Sequence, residues 1–332
     1  MAGGAADGPF RLGLVGAGRM GRTHLRALAG SADIRVVAVA EPAAAAREAA
    51  CGQAAGATGY ASVGEMLDAA AGGVAAGRGE LDGVLICAPT DQHLDVVREV
   101  AAAGRPILCE KPCGISSAQA RAAAELGAAS GVPFQVAYWR RYVPALQALR
   151  EQLLSGELGA IHLVSCQQWD EAPPAPAFRA HSGGIFVDMG VHEFDQLRWL
   201  TGQEIVGLTA AVVVGDAPAG DVDSAHALAR LSGAGVGSVS LGRYHPVGDM
   251  VRAEVFGTGG SVRCDVIDPR DGEAAQLAAL AAQAADFAAL ARGENAAGGA
   301  TAADAVAALE AAERASAAVP ELAAATAARA AG

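Results

Sequence analysis

Aromatic residues are scarce in this chain, which has only 7 Phe, 4 Tyr and 3 Trp among its 332 residues. Because 52% of the residues are hydrophobic and Ala and Gly abound, the cores must be built from small aliphatic side chains. A chain this rich in apolar residues can bury enough surface to offset the entropy of folding, which excludes intrinsic disorder. At roughly 100–200 residues per domain, the length predicts about two globular domains.

Positive charge is also in short supply, because 24 Lys and Arg face 36 Asp and Glu, for a net charge of −12. A nucleic-acid partner requires a basic face, so we expect none. No apolar run reaches the roughly 18–20 residues of a membrane span, so we expect no membrane partner. Residues 1–10 lack the basic start and apolar stretch of a signal peptide. The six cysteines include no C-x-x-C pair, which favours reduced thiols and a cytoplasmic location.

Lysine is almost absent: Lys111 is the only one among the 24 basic residues. Lysine carries a compact ammonium whose pKa moves on burial, whereas arginine stays charged and planar. One interpretation is compositional drift that spared a single lysine. The other is that Lys111 is retained for its chemistry, and the residues around it favour this second interpretation.

Strand-like and helix-like segments alternate over the first part of the chain. Strands are predicted at residues 12–15, 34–40, 83–88, 106–109 and 132–137. Their alternation with helices predicts an α/β domain, residues 1–136, with a doubly wound parallel sheet and right-handed crossovers. Residues 69–80, rich in Gly and Ala, are predicted to form a surface loop.

The pattern changes after Tyr138. Strands are predicted at residues 161–166, 206–214, 226–231, 236–241 and 251–256. Glycine-containing turns between the last of them favour antiparallel pairing. A helix is predicted at about 190–200, and the Ala-rich last sixty residues have the apolar period of helices that can pack back on the first domain. These features predict a second, α+β domain spanning residues 137–332.

A glycine-rich motif, Gly16-x-Gly18-x-x-Gly21, follows the first predicted strand and opens a helix. At such a place, main-chain N–H groups and the helix dipole can hold a pyrophosphate. Glu41 lies twenty residues beyond Gly21, at the end of the next strand, where its carboxylate would accept from an adenosine ribose hydroxyl. The carboxylate would repel a 2′-phosphate, so NAD is favoured over NADP. The alternative is a glycine-rich turn that binds nothing.

Two further motifs follow predicted strands at the same sheet edge, where ligands of such sheets bind. The first is Ala88-Pro89-Thr90-x-x-His93, in which His93 either contacts the cofactor or caps the next helix. The second is Glu110-Lys111-Pro112, which contains the lone lysine.

The second domain contains Asp188 and His192, which stand one turn apart if a helix begins near Asp188. A histidine beside a carboxylate is a candidate general base. A metal site would need a third ligand, and no Cys or His cluster supplies one, so we expect no metal. The structural alternative is a capping aspartate and a core histidine.

Taken together, these motifs resemble the glucose–fructose oxidoreductase/inositol dehydrogenase (Gfo/Idh/MocA) family over roughly residues 11–316. Residues 16–21, 88–93, 110–112, 140–142, 156–159 and 188–192 carry the resemblance. Within the family, the sequence most resembles inositol 2-dehydrogenases, through residues 170–174, 182–186 and 188–189. It departs from them at Gly190, where many carry a hydroxyl residue, and at Trp139, which precedes the arginine pair.

The resemblance implies a Rossmann domain, a second domain with a large open sheet that supports a tetramer or dimer, and NAD-dependent oxidation of a secondary ring hydroxyl on a cyclitol or pyranose. It implies Lys111, Asp188 and His192 as the catalytic group. The implied cofactor contacts are Gly16, Gly18, Arg19, Met20, Gly21, Glu41, Pro89, Thr90, His93, Glu110 and Lys111. The implied substrate contacts are Lys111, Trp139, Arg140, Asp170, Asp188, His192, Tyr244 and His245. The alternatives are a keto-sugar reductase, an NAD-dependent glycoside hydrolase and a non-enzymatic NAD or sugar sensor.

Overall fold

The computed structural model describes residues 8–72, 81–215, 221–233, 235–269, 273–296 and 298–320. The chain divides into two compact units. The N-terminal unit contains the described residues up to Gly114, together with those of Gln119–Ala137 and Leu277–Ala303. The C-terminal unit contains Ile115–Ala118 and the described residues of Tyr138–Gln276 and from Asp304 onwards. Three predicted features lie outside the described residues: the first seven residues of the segment searched for a signal peptide, residues 73–80 of the surface loop, and the helix beyond residue 320.

The strands are β1 (Phe10–Val15), β2 (Ile34–Ala40), β3 (Thr58–Tyr60), β4 (Gly83–Ile86), β5 (Ile107–Glu110), β6 (Phe134–Ala137), β7 (Ile161–Trp169), β8 (Ile205–Val213), β9 (Ser224–Leu231), β10 (Val236–Gly242), β11 (Met250–Gly257) and β12 (Gly260–Ile267). The helices are α1 (Arg19–Ala27), α2 (Ala44–Gln53), α3 (Val63–Gly72), α4 (His93–Ala102), α5 (Ser117–Ser130), α6 (Pro144–Ser155), α7 (Pro176–His181), α8 (Val191–Thr201), α9 (Ala274–Arg292) and α10 (Ala302–Ala317).

The N-terminal sheet has the strand order β3-β2-β1-β4-β5-β6, with every pair parallel. The predicted doubly wound fold is therefore confirmed. Its strand order reverses beside β1, and ligands of such sheets bind outside the carboxyl ends at this switch point. The glycine-rich loop leaves β1 at this edge, and Glu41, residues 88–93 and Lys111 follow the ends of β2, β4 and β5.

Helix α9 packs on the N-terminal sheet, where Phe287 meets Phe10 edge-on at 5.8 Å between ring centroids. Within the described part of the chain, α9 alone is long and apolar enough to cross a membrane by length and composition. It nevertheless buries the polar Asp286, which accepts a hydrogen bond from Gln135 of β6 at 3.2 Å. One face of α9 is thus held against the N-terminal sheet by apolar and polar contacts.

The C-terminal sheet has the order β12-β11-β7-β10-β9-β8. All its pairs are antiparallel except β10 with β7, so the predicted mostly antiparallel sheet is confirmed. Helix α8 packs on β7 and β10, and buries Phe194 and Leu197. The opposite face carries exposed apolar side chains, among them Leu228, Val236 and Phe256. We call this the open face of the sheet.

Three sequence-based expectations are corrected. Residues 69–72 form the last turn of α3 and not a loop, because Ala70 continues the buried face that begins at Met66. Strand β7 continues to Trp169, and β12 was missed altogether. Strand β12 lies at the sheet edge, where charged residues alternate with Val262, Cys264 and Val266, so its apolar signal is weak.

Candidate active site

The glycine-rich loop is tight at two of its glycines and open at the third. Gly16 has φ +89°, and a Cβ there would lie 2.5 Å from the carbonyl oxygen of Cys87. A Cβ on Gly21 would lie 2.1 Å from the carbonyl oxygen of Gly16. A Cβ on Gly18 would meet nothing within 4 Å, and no side chain caps α1. The first-turn amides of α1 therefore face an open cradle that suits a pyrophosphate.

Glu41 stands at the carboxyl end of β2 with its carboxylate against the loop. One carboxylate oxygen accepts from the N–H of Ala17 and the other from the N–H of Ala43, both at 2.9 Å. Each oxygen has a further lone pair that could accept from a ribose hydroxyl. Sequence reasoning overlooked Arg47, whose guanidinium donates to the carbonyl oxygens of Glu41 and Pro42 at 2.6 and 3.2 Å.

His93 is buried at the start of α4, and its ring contacts the main chain of two loops. Its Nε2 lies 2.8 Å from the carbonyl oxygen of Ala88, and its Nδ1 lies 2.8 Å from that of Pro112. Burial is the largest influence on the pKa of His93 and lowers it, whereas the hydrogen bonds with the two carbonyl oxygens oppose that shift. The alternative that His93 caps the helix is wrong, because its ring contacts carbonyls and not first-turn amides. Pro89 and Thr90 lie between Ala88 and His93 in the chain, and Thr90 begins the short turn that leads into α4.

Lys111 follows β5 and is half-buried. Glu110 is buried, and its carboxylate contacts Nε2 of His24 at 2.8 Å and accepts from the main-chain N–H of Lys111 at 3.0 Å. His24 was not among the predicted site residues. Arg19 and Met20, which begin α1, are exposed and half-buried respectively.

Three buried cysteines lie in or next to strands at this edge. Burial, reinforced by Glu110, raises the pKa of Cys87 well above 9.0. A hydrogen bond with Cys113, together with burial, raises the pKa of Cys109 well above 9.0. The thiols of Cys87 and Cys109 therefore stay protonated near neutral pH and do not offer a thiolate nucleophile.

In the C-terminal unit, Asp188 does not lie in α8. It belongs to a π-helical turn, Phe186–Gly190, which precedes α8 directly, while His192 lies in the first turn of α8. His192 is buried with its ring edge-on to Tyr138 at 5.8 Å and to Trp139 at 6.3 Å between ring centroids. The expectation that a helix begins near Asp188 is thus corrected to a wider turn that runs into the helix.

Arg243 is the functional candidate that sequence reasoning missed. It is fully buried after β10 and donates to the Asp188 carboxylate at 3.1 Å. Its second terminal nitrogen lies 3.6 Å from Asp221, which also pairs with Arg179 of α7. The side chain of Asp188 is 12% exposed, whereas those of Arg243, Asp221 and Arg179 are 4% exposed or less. The available signal was an arginine directly after a strand in which Val239 and Leu241 are buried.

Arg140 is committed to partners inside the protein. Its guanidinium pairs with Glu193 and donates to the side-chain oxygen of Gln168 at 2.6 Å. Gln168 in turn donates to Asp170 at 3.0 Å. Burial raises the pKa of Asp170, as do the carboxylates of Asp249 and Asp188, whereas Gln168 and Arg243 oppose the shift.

The remaining predicted contacts differ in placement. Tyr244 is 50% exposed, whereas the side chain of Arg243 beside it is buried. The main-chain N–H of His245 donates to the carbonyl oxygen of Asp170 at 2.8 Å, and its ring contacts the carbonyl oxygen of Gly248. A Cβ on Gly190 would lie 3.2 Å from Leu241, which leaves little room for a larger side chain. Among the described residues, no group of three or more His, Cys, Asp or Glu could hold a metal ion.

A pyrophosphate cradle beside a carboxylate at the next strand end is the arrangement that a dinucleotide requires. The N-terminal unit therefore places this chain in the class of NAD-binding oxidoreductases with a Rossmann fold. The model of the oxidoreductase family with an NAD-binding Rossmann fold matches residues 10–138, and that of the GFO/IDH/MocA C-terminal domain matches residues 146–263. The chain belongs to the Gfo/Idh/MocA family.

Individual relatives agree with this assignment. The chain is 50% identical to the rhizopine catabolism protein MocA of Rhizobium meliloti, over 81% of this chain and 82% of that protein. It is 34% identical to an inositol 2-dehydrogenase of Rhizobium meliloti strain 1021, over 77% and 75% of the two chains. A crystal structure of a myo-inositol dehydrogenase from Corynebacterium glutamicum superposes with a TM-score of 0.80 at 27% identity, and covers 92% of this chain and 96% of that one. The protein is an inositol dehydrogenase-like oxidoreductase that uses NAD and acts on CH–OH groups.

Proposed function

We propose that this protein oxidises a secondary ring hydroxyl of a cyclitol, with an inositol as the first candidate, to the ketone. The observation that carries the proposal is the pair of carboxylates, Asp170 and Asp188, beside the buried Arg243. A polyol presents several hydroxyl donors, and ionised carboxylates accept from them. The 34% identity to an inositol 2-dehydrogenase supports the same substrate class.

NAD, when bound, accepts the hydride from the carbon that bears the hydroxyl. We propose that the Lys111 ammonium stabilises the developing alkoxide, because a compact donor placed where charge develops lowers the barrier. His192 takes the hydroxyl proton as general base. Asp188, held by Arg243, orients His192 and binds a neighbouring hydroxyl. Arg140 supports the pocket through Gln168 and Asp170, since its own guanidinium is occupied.

The remaining predicted contacts are proposed as follows. Gly16, Gly18, Arg19, Met20 and Gly21 hold the pyrophosphate, and Glu41 binds the adenosine ribose. Pro89, Thr90, His93 and Glu110 lie at the same sheet edge and complete the cofactor site. Trp139 lines the substrate side of the site beside His192, and Tyr244 and His245 lie at the border of that side.

A second substrate is favoured by one observation. Identity to the rhizopine catabolism protein MocA is 50%, against 34% to the inositol 2-dehydrogenase from the same species. We therefore propose a compound of rhizopine catabolism as the alternative to an unmodified inositol.

We also propose that the chain works in the cytoplasm as a homo-oligomer. The six cysteines are free in the structure, which supports a reducing compartment. The exposed apolar residues of the open face support an interface between copies of the chain, because large apolar patches mark such contacts.

The deciding experiment measures NADH formation by the purified protein against a panel of inositols, pyranoses and rhizopine. Oxidation of a cyclitol with conversion to the ketone, identified by mass spectrometry, would support the proposal. Activity confined to pyranoses, or only reduction of keto-sugars with NADH, would contradict it. Release of a leaving group from an aryl glycoside would instead identify a glycoside hydrolase.

Lys111→Arg tests the role of the lysine, since it keeps the charge and changes the shape of the donor. We expect turnover to fall by about 10²-fold, as for the loss of one oxyanion donor. NADH binding, followed by fluorescence, should survive. Full activity of the variant would refute the catalytic role of Lys111.

A further inference from the structure

His24 is a buried histidine in the last turn of α1, and the mechanism above does not use it. Its ring lies against the end of β5, 86 residues further along the chain. A buried histidine that faces a carboxylate has a specific partner, so its position calls for an explanation.

The partner is Glu110, and both of its carboxylate oxygens are occupied. Oε1 lies 2.8 Å from Nε2 of His24, and Oε2 accepts from the main-chain N–H of Lys111 at 3.0 Å. An ionised carboxylate only accepts hydrogen bonds, so Nε2 of His24 is the donor. The carboxylate is therefore held at both ends, by a helix on one side and by the main chain of Lys111 on the other.

The main chain just beyond Lys111 is held as well. The carbonyl oxygen of Pro112 lies 2.8 Å from Nδ1 of His93, which is buried at the start of α4. Two side chains thus hold the main chain around Lys111. The Glu110 carboxylate accepts from the N–H of Lys111, and the His93 ring contacts the carbonyl oxygen of Pro112, the next residue. A lysine side chain is long and flexible, so the direction of its main chain decides where the ammonium can reach.

We propose that His24, acting through Glu110, is a positioning residue for Lys111. This inference rests on the catalytic role proposed for Lys111. Helix α1 begins at the glycine-rich loop, so the element that offers its amides to the cofactor phosphates also sets the position of the lysine. The His24–Glu110 contact couples these two parts of the site within one unit.

The test compares two substitutions of His24. His24→Gln keeps an N–H donor at the end of the side chain, whereas His24→Leu removes it. A misplacement of about 1 Å costs on the order of 10²-fold in rate, so we expect His24→Leu to lower kcat by about that factor. The KM for NAD should change little. His24→Gln should recover most of the turnover, and His162→Leu, at an exposed histidine, is the matched control.

A second readout does not depend on activity. Because Lys111 is the only lysine, reductive methylation with ¹³C-formaldehyde gives one lysine methyl signal in the NMR spectrum, besides that of the N-terminus. We expect this signal to move towards that of a free lysine in His24→Leu and to stay near its wild-type position in His24→Gln and His162→Leu.

The outcomes separate the two proposals. An unmoved lysine signal and unchanged kcat in folded His24→Leu would overturn the positioning role. If His24→Leu does not fold, Glu110→Gln decides: its amide nitrogen cannot accept, so one of the two contacts is lost, and a wild-type lysine signal would overturn the role. A moved signal in a protein whose Lys111→Arg variant is fully active would preserve the positioning and refute the catalytic role.

Discussion

The Arg243→Met substitution tests the chain of charges that holds Asp188. It replaces a buried guanidinium by an apolar side chain of similar length. Asp188 loses a donor at 3.1 Å, and Asp221 loses a cation at 3.6 Å but keeps Arg179. Arg243→Lys is the matched control, because it retains the charge.

The magnitude follows from the burial of the partners. Removing one member of a buried ion pair costs about 3–5 kcal/mol. Asp188 is partly exposed and Asp221 retains a partner, so we expect the lower end, about 3 kcal/mol, in the unfolding free energy. For a unit of this size, that loss lowers Tm by about 6–12 °C.

The same substitution has a second, electrostatic consequence at Asp170. Burial and neighbouring carboxylates already raise the pKa of Asp170, and Arg243 opposes this shift. Without Arg243 the pKa should rise further, so the ionised form is lost at a higher pH. The acid limb of the kcat/KM profile should therefore move to higher pH in Arg243→Met and little in Arg243→Lys.

The assays are thermal unfolding and the pH dependence of kcat/KM. Unchanged Tm together with an unchanged acid limb in Arg243→Met would refute the argument that Arg243 supports Asp188 and Asp170. A lower Tm with an unchanged acid limb would leave Arg243 as a stabilising residue only.

Three further substitutions test other parts of the structure. Glu41→Ala should weaken NAD binding and narrow the preference for NAD over NADP, since it removes the carboxylate that repels a 2′-phosphate; kcat/KM with both cofactors measures this. Burial lowers the pKa of His93 below 6.5, so below about pH 6.5 the unfolded chain binds more protons than the folded one and the unfolding free energy decreases as the pH falls. In His93→Gln this decrease, measured by urea unfolding, should be smaller. Leu228 is 56% exposed on the open face, and Leu228→Glu should lower the molar mass measured by light scattering.

Each of these has a result that contradicts it. Equal wild-type activity with NAD and NADP would remove the ribose role of Glu41. An unchanged pH dependence of stability in His93→Gln would mean that burial does not lower the pKa of His93. A wild-type protein that is already a monomer, or an oligomer that tolerates Leu228→Glu, would exclude the open face as the interface.

Much of the N-terminal unit could be predicted because its signals are local. Alternating apolar strands and helices, and glycines at spacings that a tight turn needs, lie within a few residues of each other. Parallel strands bring their carboxyl ends to one edge, so Gly18, Glu41 and Lys111 could be assigned to the same edge from sequence order alone. The C-terminal sheet was predicted less completely, because β12 is half polar and lies at an edge.

What the sequence by itself determined is therefore the fold class, the position of the glycine-rich loop and the identity of the lone lysine. Only the tertiary structure decided which side chains, distant in sequence, contact the predicted site residues. His24 meets Glu110 across 86 residues, Arg140 meets Glu193 across 53, and Arg243 meets Asp188 across 55. No spacing rule links residues so far apart, because such pairs arise only when separate elements pack. A buried charge is costly unless it is paired, which is why the buried Arg243, and not its exposed neighbour Tyr244, contacts Asp188.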